Sequence, residues 1–295
     1  MTPDPPPDGR PTRKIFHVAA PGRFGGLEQV VETLAAGQRG AGYDARVALF
    51  VQADEPAPGL VSALRASGVP LYIIATTPRA YLRQLRELRA LLRAERPDVV
   101  HTHGYVGDVL TRLVRPSSQV CVATVHGFTG GDWRNRAYEG MQCWAYDSFD
   151  VMVAVSRKLA ADLERRRIPR RRIEVVPNAF GAETLPCPAA EARRRLLIPD
   201  GVFSIGWVGR TTPEKGLDVF IEALGALRDL PFHATVVGDG SQRAAAEQRA
   251  AALGIASALG WAGVVTAAGR LMPAFDVLVN SSRTDVTPSG NAIIS

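Results

Sequence analysis

The sequence predicts an α/β protein made of two domains, each around a mostly parallel sheet, and three observations carry that prediction. In the first half, short apolar runs (KIFHVAA, ARVALFV, PLYIIA, DVVHTH, VCVATVH, VMVAVS, IEVVPN) alternate with segments of helical period. The stretch GAETLPCPAAEARRRLLIPDG then breaks the alternation with prolines and charge. Beyond it the alternation resumes with FSIGWVG, FHATVVG, LGWAGVV and DVLVNS. The expected division is a disordered tail over 1–13, a first domain over 14–180, a linker over 181–201 and a second domain over 202–295. A chain of 295 residues with 46% hydrophobic content can fill two such cores.

The opening MTPDPPPDGRPTRK is rich in proline and charge and lacks the apolar run of a secretory signal. GRFGG follows the first strand, and a helix is expected from near Leu27. In RAYLRQLRELRALLRAERP, Leu82, Leu85, Leu88 and Leu92 are expected on one stripe, with Arg79, Arg83, Arg86 and Arg93 on the opposite side. His101 and His103 stand two apart in an extended run, so both point the same way. That spacing could hold a metal ion, but with no third ligand evident, polar lining on the acceptor side is the preferred reading. In the second domain, helices are expected to start near Glu214 and Ser241. No internal repeat relates the two domains.

Open α/β sheets bind ligands beyond the carboxyl ends of their strands. Gly25, Gly26, His101, His103, His126, Arg210, Gly238 and Asp285 all fall at such positions. The string GRTTPEKG, from Gly209 to Gly216, joins a strand to a helix start. Unpaired N–H groups, the helix dipole, Arg210 and Lys215 would together suit a diphosphate. Pro213 suits a helix entrance, and Gly216 would let a ligand approach the backbone. An exposed loop with solvated cations would read the same way. Gly238, Asp239 and Gly240 precede another helix, where capping by Asp239 or Ser241 is an equal reading.

A net charge of +6 and a pI near 9.6 favour anionic partners: nucleotides, nucleic acid or a lipid surface. Nucleic acid fits poorly, because the basic stretches lack interleaved aromatics. Cys121, Cys143 and Cys187 are few, odd in number and widely spaced, as in a reducing cytoplasm. No window reaches the roughly 18 consecutive apolar residues of a membrane helix. The run RRRIPRRR, Arg165 to Arg172, reads as a solvated connection. A sharper alternative joins it to Arg79, Arg83 and Arg86 as a patch for an anionic membrane carrying a lipid acceptor.

The strings GWVGRTTPEKGLDVFIEAL, GRFGGLEQVVETLA, VATVHGF, FDVMVAVS, IEVVPNAF and VVGDGSQRAAAEQRAAALGI together resemble the retaining glycosyltransferases of family 4, from about Lys14 to about Pro288. The resemblance implies the GT-B fold, with two Rossmann-like domains facing across a cleft. It implies a nucleotide-sugar donor, an acceptor that is a glycan, lipid-linked or a small molecule, and transfer with retention, without a metal ion or other cofactor. By the same resemblance Arg210 and Lys215 contact the donor diphosphate, and His126 and Asp285 orient the sugar. Gly25 and Gly26 bring backbone N–H groups near the phosphates or acceptor; Gly238 and Val264 lie against the nucleotide. The cysteine usage points to a cytoplasmic location, and the basic-patch alternative would make it peripheral to the inner face of the membrane.

The family carries a Glu, seven residues and a second Glu after the strand that DVLVNSSR resembles. Asp285 aligns with the first; Ile293, or Ser295 if NAII sets the alignment, stands where the second would be. Neither is a carboxylate, so the second domain is expected to be incomplete, with an uncovered sheet edge and weak or absent turnover. A non-catalytic nucleotide- or acceptor-binding remnant is the competing reading. An epimerase of the same fold would need a catalytic acid and base that are not identifiable.

Overall fold

The computed structural model describes residues 12–21, 26–52, 58–77, 80–115, 118–128, 133–178, 186–265 and 268–283. Two compact units result, one running to Ala179 and the other beginning at Phe180.

The first unit carries β1 (Lys14–Ala19), α1 (Gly26–Gly40), β2 (Asp44–Gln52), α2 (Pro58–Ala66), β3 (Leu71–Thr76), α3 (Tyr81–Glu95) and β4 (Val99–His103). It continues with α4 (Tyr105–Val114), β5 (Val120–Val125), α5 (Trp133–Tyr146), β6 (Val151–Ala154), α6 (Arg157–Arg165) and β7 (Ile173–Val175). The strands form one parallel seven-stranded sheet in the order β3-β2-β1-β4-β5-β6-β7. Alternation along β1 sends Phe16 and Val18 to one face and His17 and Ala19 to the other. Phe16 and Val18 join Leu88, Leu92, Leu110 and Tyr146 in one core; Ala19 packs with Val31, Ala35 and Leu64 in a second. All seven expected strands of this unit are present.

The stripe of α3 differs from the expectation. Leu88 and Leu92 are buried, but Leu82 is 81% exposed and Gln84 is buried instead. At 100° per residue, Leu82 lies about 120° from Leu88, off the buried face. Four arginines of the run Arg165–Arg172 meet partners within the unit. Arg172 Nη1 donates to the carbonyls of Asp147 (3.1 Å) and Phe149 (3.2 Å), just beyond the last turn of α5. Arg166 pairs with Glu139 at 2.8 Å and lies over the Phe128 ring, 3.8 Å from its centroid. Arg170 pairs with Glu164 at 3.2 Å, and Arg165 with Asp162. These residues tie α5, α6 and β7 together, because each meets a carboxylate or carbonyl that the fold brings to it.

The second unit carries α7 (Ala189–Arg195), β8 (Ser204–Val208), α8 (Leu217–Gly225), β9 (His233–Val237), α9 (Arg243–Ala252), β10 (Leu259–Gly263) and β11 (Val277–Leu278). Its parallel sheet has the order β10-β9-β8-β11. Trp207, Phe220, Ile221, Leu224, Ala234 and Val236 fill the space under α8 and α9. The stretch expected as a linker is partly a packed element: Cys187, Ala192, Leu196 and Ile198 form a core with Val237, Leu271 and Ala274. Arg193 fastens it by donating to the Val202 carbonyl at 2.5 Å. Among the described residues no helix is long and apolar enough to cross a membrane.

Candidate functional site

Each sheet has one switch point, where strand order reverses and the loops at the carboxyl ends diverge. In the second unit this lies between β8 and β11. The loop after β8 contains Arg210, and a single 3-10 turn over Pro213–Lys215 follows. Gly216, with φ +67°, then turns the chain into α8. The α-helix therefore begins at Leu217, not near Glu214.

Arg210 reaches Glu214 at 3.5 Å, and the Thr212 hydroxyl donates to the same carboxylate at 2.6 Å. Burial opposes ionisation of Glu214, but Thr212, its own N–H, Arg210 and Lys215 hold its carboxyl below the ordinary value. Lys215 is shifted down, first by burial and then by the like charge of Arg210, with Glu214 opposing. Two cations thus share one carboxylate on a partly desolvated loop.

One expectation about the backbone here is corrected. The space beside Gly216 is occupied by Ser281: a Cβ on Gly216 would stand 2.1 Å from the Ser281 carbonyl oxygen. The close approach that requires glycine is to the chain itself, not to a ligand. The start of α8 also carries a carboxylate of its own, Asp218, held below its ordinary value first by Arg283, with burial opposing. Asp218 in turn pairs with Arg283 at 2.6 Å. An anion here would be held by side chains more than by a helix start.

Gly238 has φ +133°, and a Cβ would stand 1.9 Å from the Gly209 carbonyl oxygen. Its N–H donates to Gly263 at 2.7 Å, so that amide is engaged inside the unit. The loops after β8 and β9 are joined by Thr211 N–H to Asp239 O (3.0 Å) and Gln242 N–H to Thr211 O (2.8 Å). Neither Asp239 nor Ser241 caps α9; Asp239 accepts from Gly240 N–H at 2.8 Å. Val264, beside Gly263, is exposed. Arg210, Lys215, Gly238 and Val264 thus lie in the loops at this end of the sheet. Asp285 lies outside the described residues.

In the first unit the switch point lies between β1 and β4. Register pairs His17 with His101 and Ala19 with His103, so all three histidines occupy one face. Gln38 of α1 meets them there: its Oε1 is 2.7 Å from His17 Nε2. His17 Nδ1 is 3.0 Å from His103 Nε2, and His103 Nδ1 is 3.4 Å from His126 Nε2. His101 Nε2 contacts the Thr124 hydroxyl at 2.7 Å, and its ring stacks on His103 at 4.5 Å between centroids. Burial pushes His17 and His126 down to about 4. His101 and His103 are pushed well below the ordinary value by burial and then by neighbouring imidazoles.

His101 and His103 are buried and face other side chains, so they form an interior cluster rather than an exposed lining. His17, which the sequence reading missed, is the third member. The signal was available: in a 3-2-1-4 strand order the first and fourth strands are neighbours, so a histidine in KIFHVAA faces HTH. Ring nitrogens of His17, His101 and His103 lie within 4.8 Å of one another. Neutral rings suit a divalent transition metal, and Gln38 and Thr124 would hold distal nitrogens. The three supply no anionic ligand to offset a buried dication, and the 3.0 Å His17–His103 contact would be lost. Gly26 opens α1, and Gly25 lies outside the described residues.

Residues 24–183 match the family model described as Glycosyltransferase Family 4, and residues 202–295 match that of glycosyl transferases group 1. The chain belongs to glycosyltransferase family 4. Two curated family relatives are a 2-deoxystreptamine N-acetyl-D-glucosaminyltransferase of Streptomyces fradiae and a GDP-mannose-dependent alpha-mannosyltransferase of Mycolicibacterium smegmatis. The first is 30% identical over 52% of this chain and 41% of its own length. The second is 32% identical over 52% of this chain and 42% of its own length. The matches thus span about two fifths of those curated relatives. Among solved structures, Anabaena Alr3699/HepE in complex with UDP superposes with a TM-score of 0.74 at 18% identity, over 94% of this chain and 78% of its own. A glycosyltransferase from Rickettsia africae ESF-5 gives 0.71 at 18% identity, over 92% and 73%. The family 4 chain has the GT-B fold.

Proposed function

We propose that this family 4 chain binds a nucleoside diphosphate sugar through Arg210 and Lys215. It transfers the sugar to an acceptor hydroxyl with retention and without a metal ion. One observation carries the reading: two cations share a single carboxylate on a partly desolvated loop at the switch point of the second sheet. Burial disfavours the charge on Lys215, and two cations beside one carboxylate leave a net positive charge that an anion would offset. A departing nucleoside diphosphate gains negative charge in the transition state, and cations fixed before the reaction stabilise it there.

His126 and Asp285 orient the sugar, Gly25 and Gly26 shape the loop beneath it, and Gly238 and Val264 bound the nucleotide. The UDP complex of the Anabaena relative supports beginning with uridine conjugates. The N-acetylglucosaminyl- and mannosyltransferase relatives support a hexose or hexose derivative.

The test is a thermal-shift panel of uridine, guanosine and adenosine diphosphate sugars on the parent and on Lys215→Ala. At 100 times Kd a ligand stabilises by about 2.7 kcal/mol, a shift of a few degrees. Losing one charge-assisted contact should weaken the stabilising donor about 10- to 100-fold. A well-folded parent that none of these conjugates stabilises overturns the reading. A donor that binds but is neither hydrolysed nor transferred favours the non-catalytic alternative.

A further inference from the structure

We infer that Gln38, His17 and His103 form a hydrogen-bond relay that fixes His126 in a single neutral tautomer, which makes them positioning residues for the sugar. The functional consequence rests on the reading of His126 given above; the tautomer is a property of the chain alone.

A neutral imidazole has one N–H and one lone pair, so every contact between two rings needs a donor and an acceptor. Gln38 Oε1 can only accept. His17 therefore carries its proton on Nε2, the nitrogen 2.7 Å from that oxygen, and its Nδ1 is a lone pair. His103 must then donate from Nε2 across the 3.0 Å contact, which leaves its own Nδ1 as an acceptor. His126, whose Nε2 is 3.4 Å from that atom, carries its proton there. The lone pair of His126 Nδ1 is what remains for a ligand, and it accepts from a sugar hydroxyl.

No ring in this chain can change tautomer alone. An isolated switch would set lone pair against lone pair, or N–H against N–H, at buried rings. His17 and His103 are 0% exposed, which keeps the choice strict. Burial also keeps the rings neutral; a protonated ring would present two N–H groups and break the sequence of donors. His101, stacked on His103 and held by Thr124, fixes the plane of the ring between His17 and His126.

Long-range proton–nitrogen correlation spectra of the full ¹⁵N-labelled chain at pH 7 test this. Nε2–H tautomers are expected for His17, His103 and His126. Gln38→Leu should give His126 a measurable Nδ1–H fraction, although residue 38 does not touch it. If Gln38→Leu does not fold, Gln38→Met removes the same acceptor.

With a donor in hand, KM should rise in inverse proportion to the remaining Nε2–H fraction while kcat stays unchanged. Three results overturn the relay: an Nδ1–H tautomer at His126 in the parent, a His126 spectrum indifferent to Gln38→Leu, or stoichiometric zinc retained with His17 and His103 nitrogens at metal-bound shifts. If no nucleotide sugar binds, the functional reading fails while the spectra still decide the relay.

Discussion

At Ser281 one hydroxyl serves two partners. It accepts from the indole Nε1–H of buried Trp207 at 3.0 Å and donates to the Gly216 carbonyl at 2.7 Å, beside Lys215. Ser281→Ala leaves the indole N–H unpaired in the core and should cost about 1–3 kcal/mol, read as a lower denaturant midpoint with an unchanged slope. Arg210 and Lys215 were legible as a cationic pair, since both lie in one eight-residue string. The partner of Gly216 was not: Ser281 is 65 residues away, and only the pairing of β11 with β8 brings it there.

Single contacts at element ends decide where several segments stop or cross. Arg172 lies under the carbonyls that follow α5, and Arg172→Ala should cost about 1 kcal/mol in chemical denaturation, since it removes a cation from the negative end of that helix. Gly238 is stricter. A methyl group there meets the Gly209 carbonyl at 1.9 Å with φ at +133°, so neither rotation nor side-chain movement relieves it. Gly238→Ala should lower stability by more than about 2 kcal/mol in thermal unfolding, whether or not a nucleotide is present. The strand runs were legible because apolar β-branched segments flanked by turn residues need no distant partner to be recognised. The face of α3 was misjudged at Leu82, because a leucine count ignores angular drift along the helix.

Across the whole molecule, acid acts unequally on the two units. His17 goes from an ordinary 6.5 to about 4 in the fold. Its contribution is complete above the unfolded value and is lost as pH falls toward the folded one. At pH 5 the loss is about 2 kcal/mol, from about 1.4 kcal/mol per pH unit over roughly 1.5 units. Asp108 has the opposite sign. Burial raises it from 3.8 to about 6, against hydrogen bonds from Thr102, Gln142 and Tyr146. Its contribution is present below the unfolded value and lost as pH rises through about 6, so acidification from pH 7 to 5 returns only about 1.4 kcal/mol.

His126 behaves as His17 does, and His101 and His103 are shifted the same way, so the histidines outweigh the aspartate. The first unit should therefore lose hydrogen-exchange protection between pH 6.5 and 5, after correction for intrinsic rates, before the second. Protection lost first in the second unit would show that the buried imidazoles do not govern acid stability.

Local chemistry along the chain was enough to specify the alternation of strand and helix, the two sheets and the cationic loop after β8. Period and turn residues act over a few positions and are read directly. The grouping of His17 with His101 and His103, the use of Gly216 to admit Ser281, and the internal bonding of Arg166 and Arg172 were decided by strand order and register. Those contacts join residues far apart in sequence, and only the closed fold supplies their geometry.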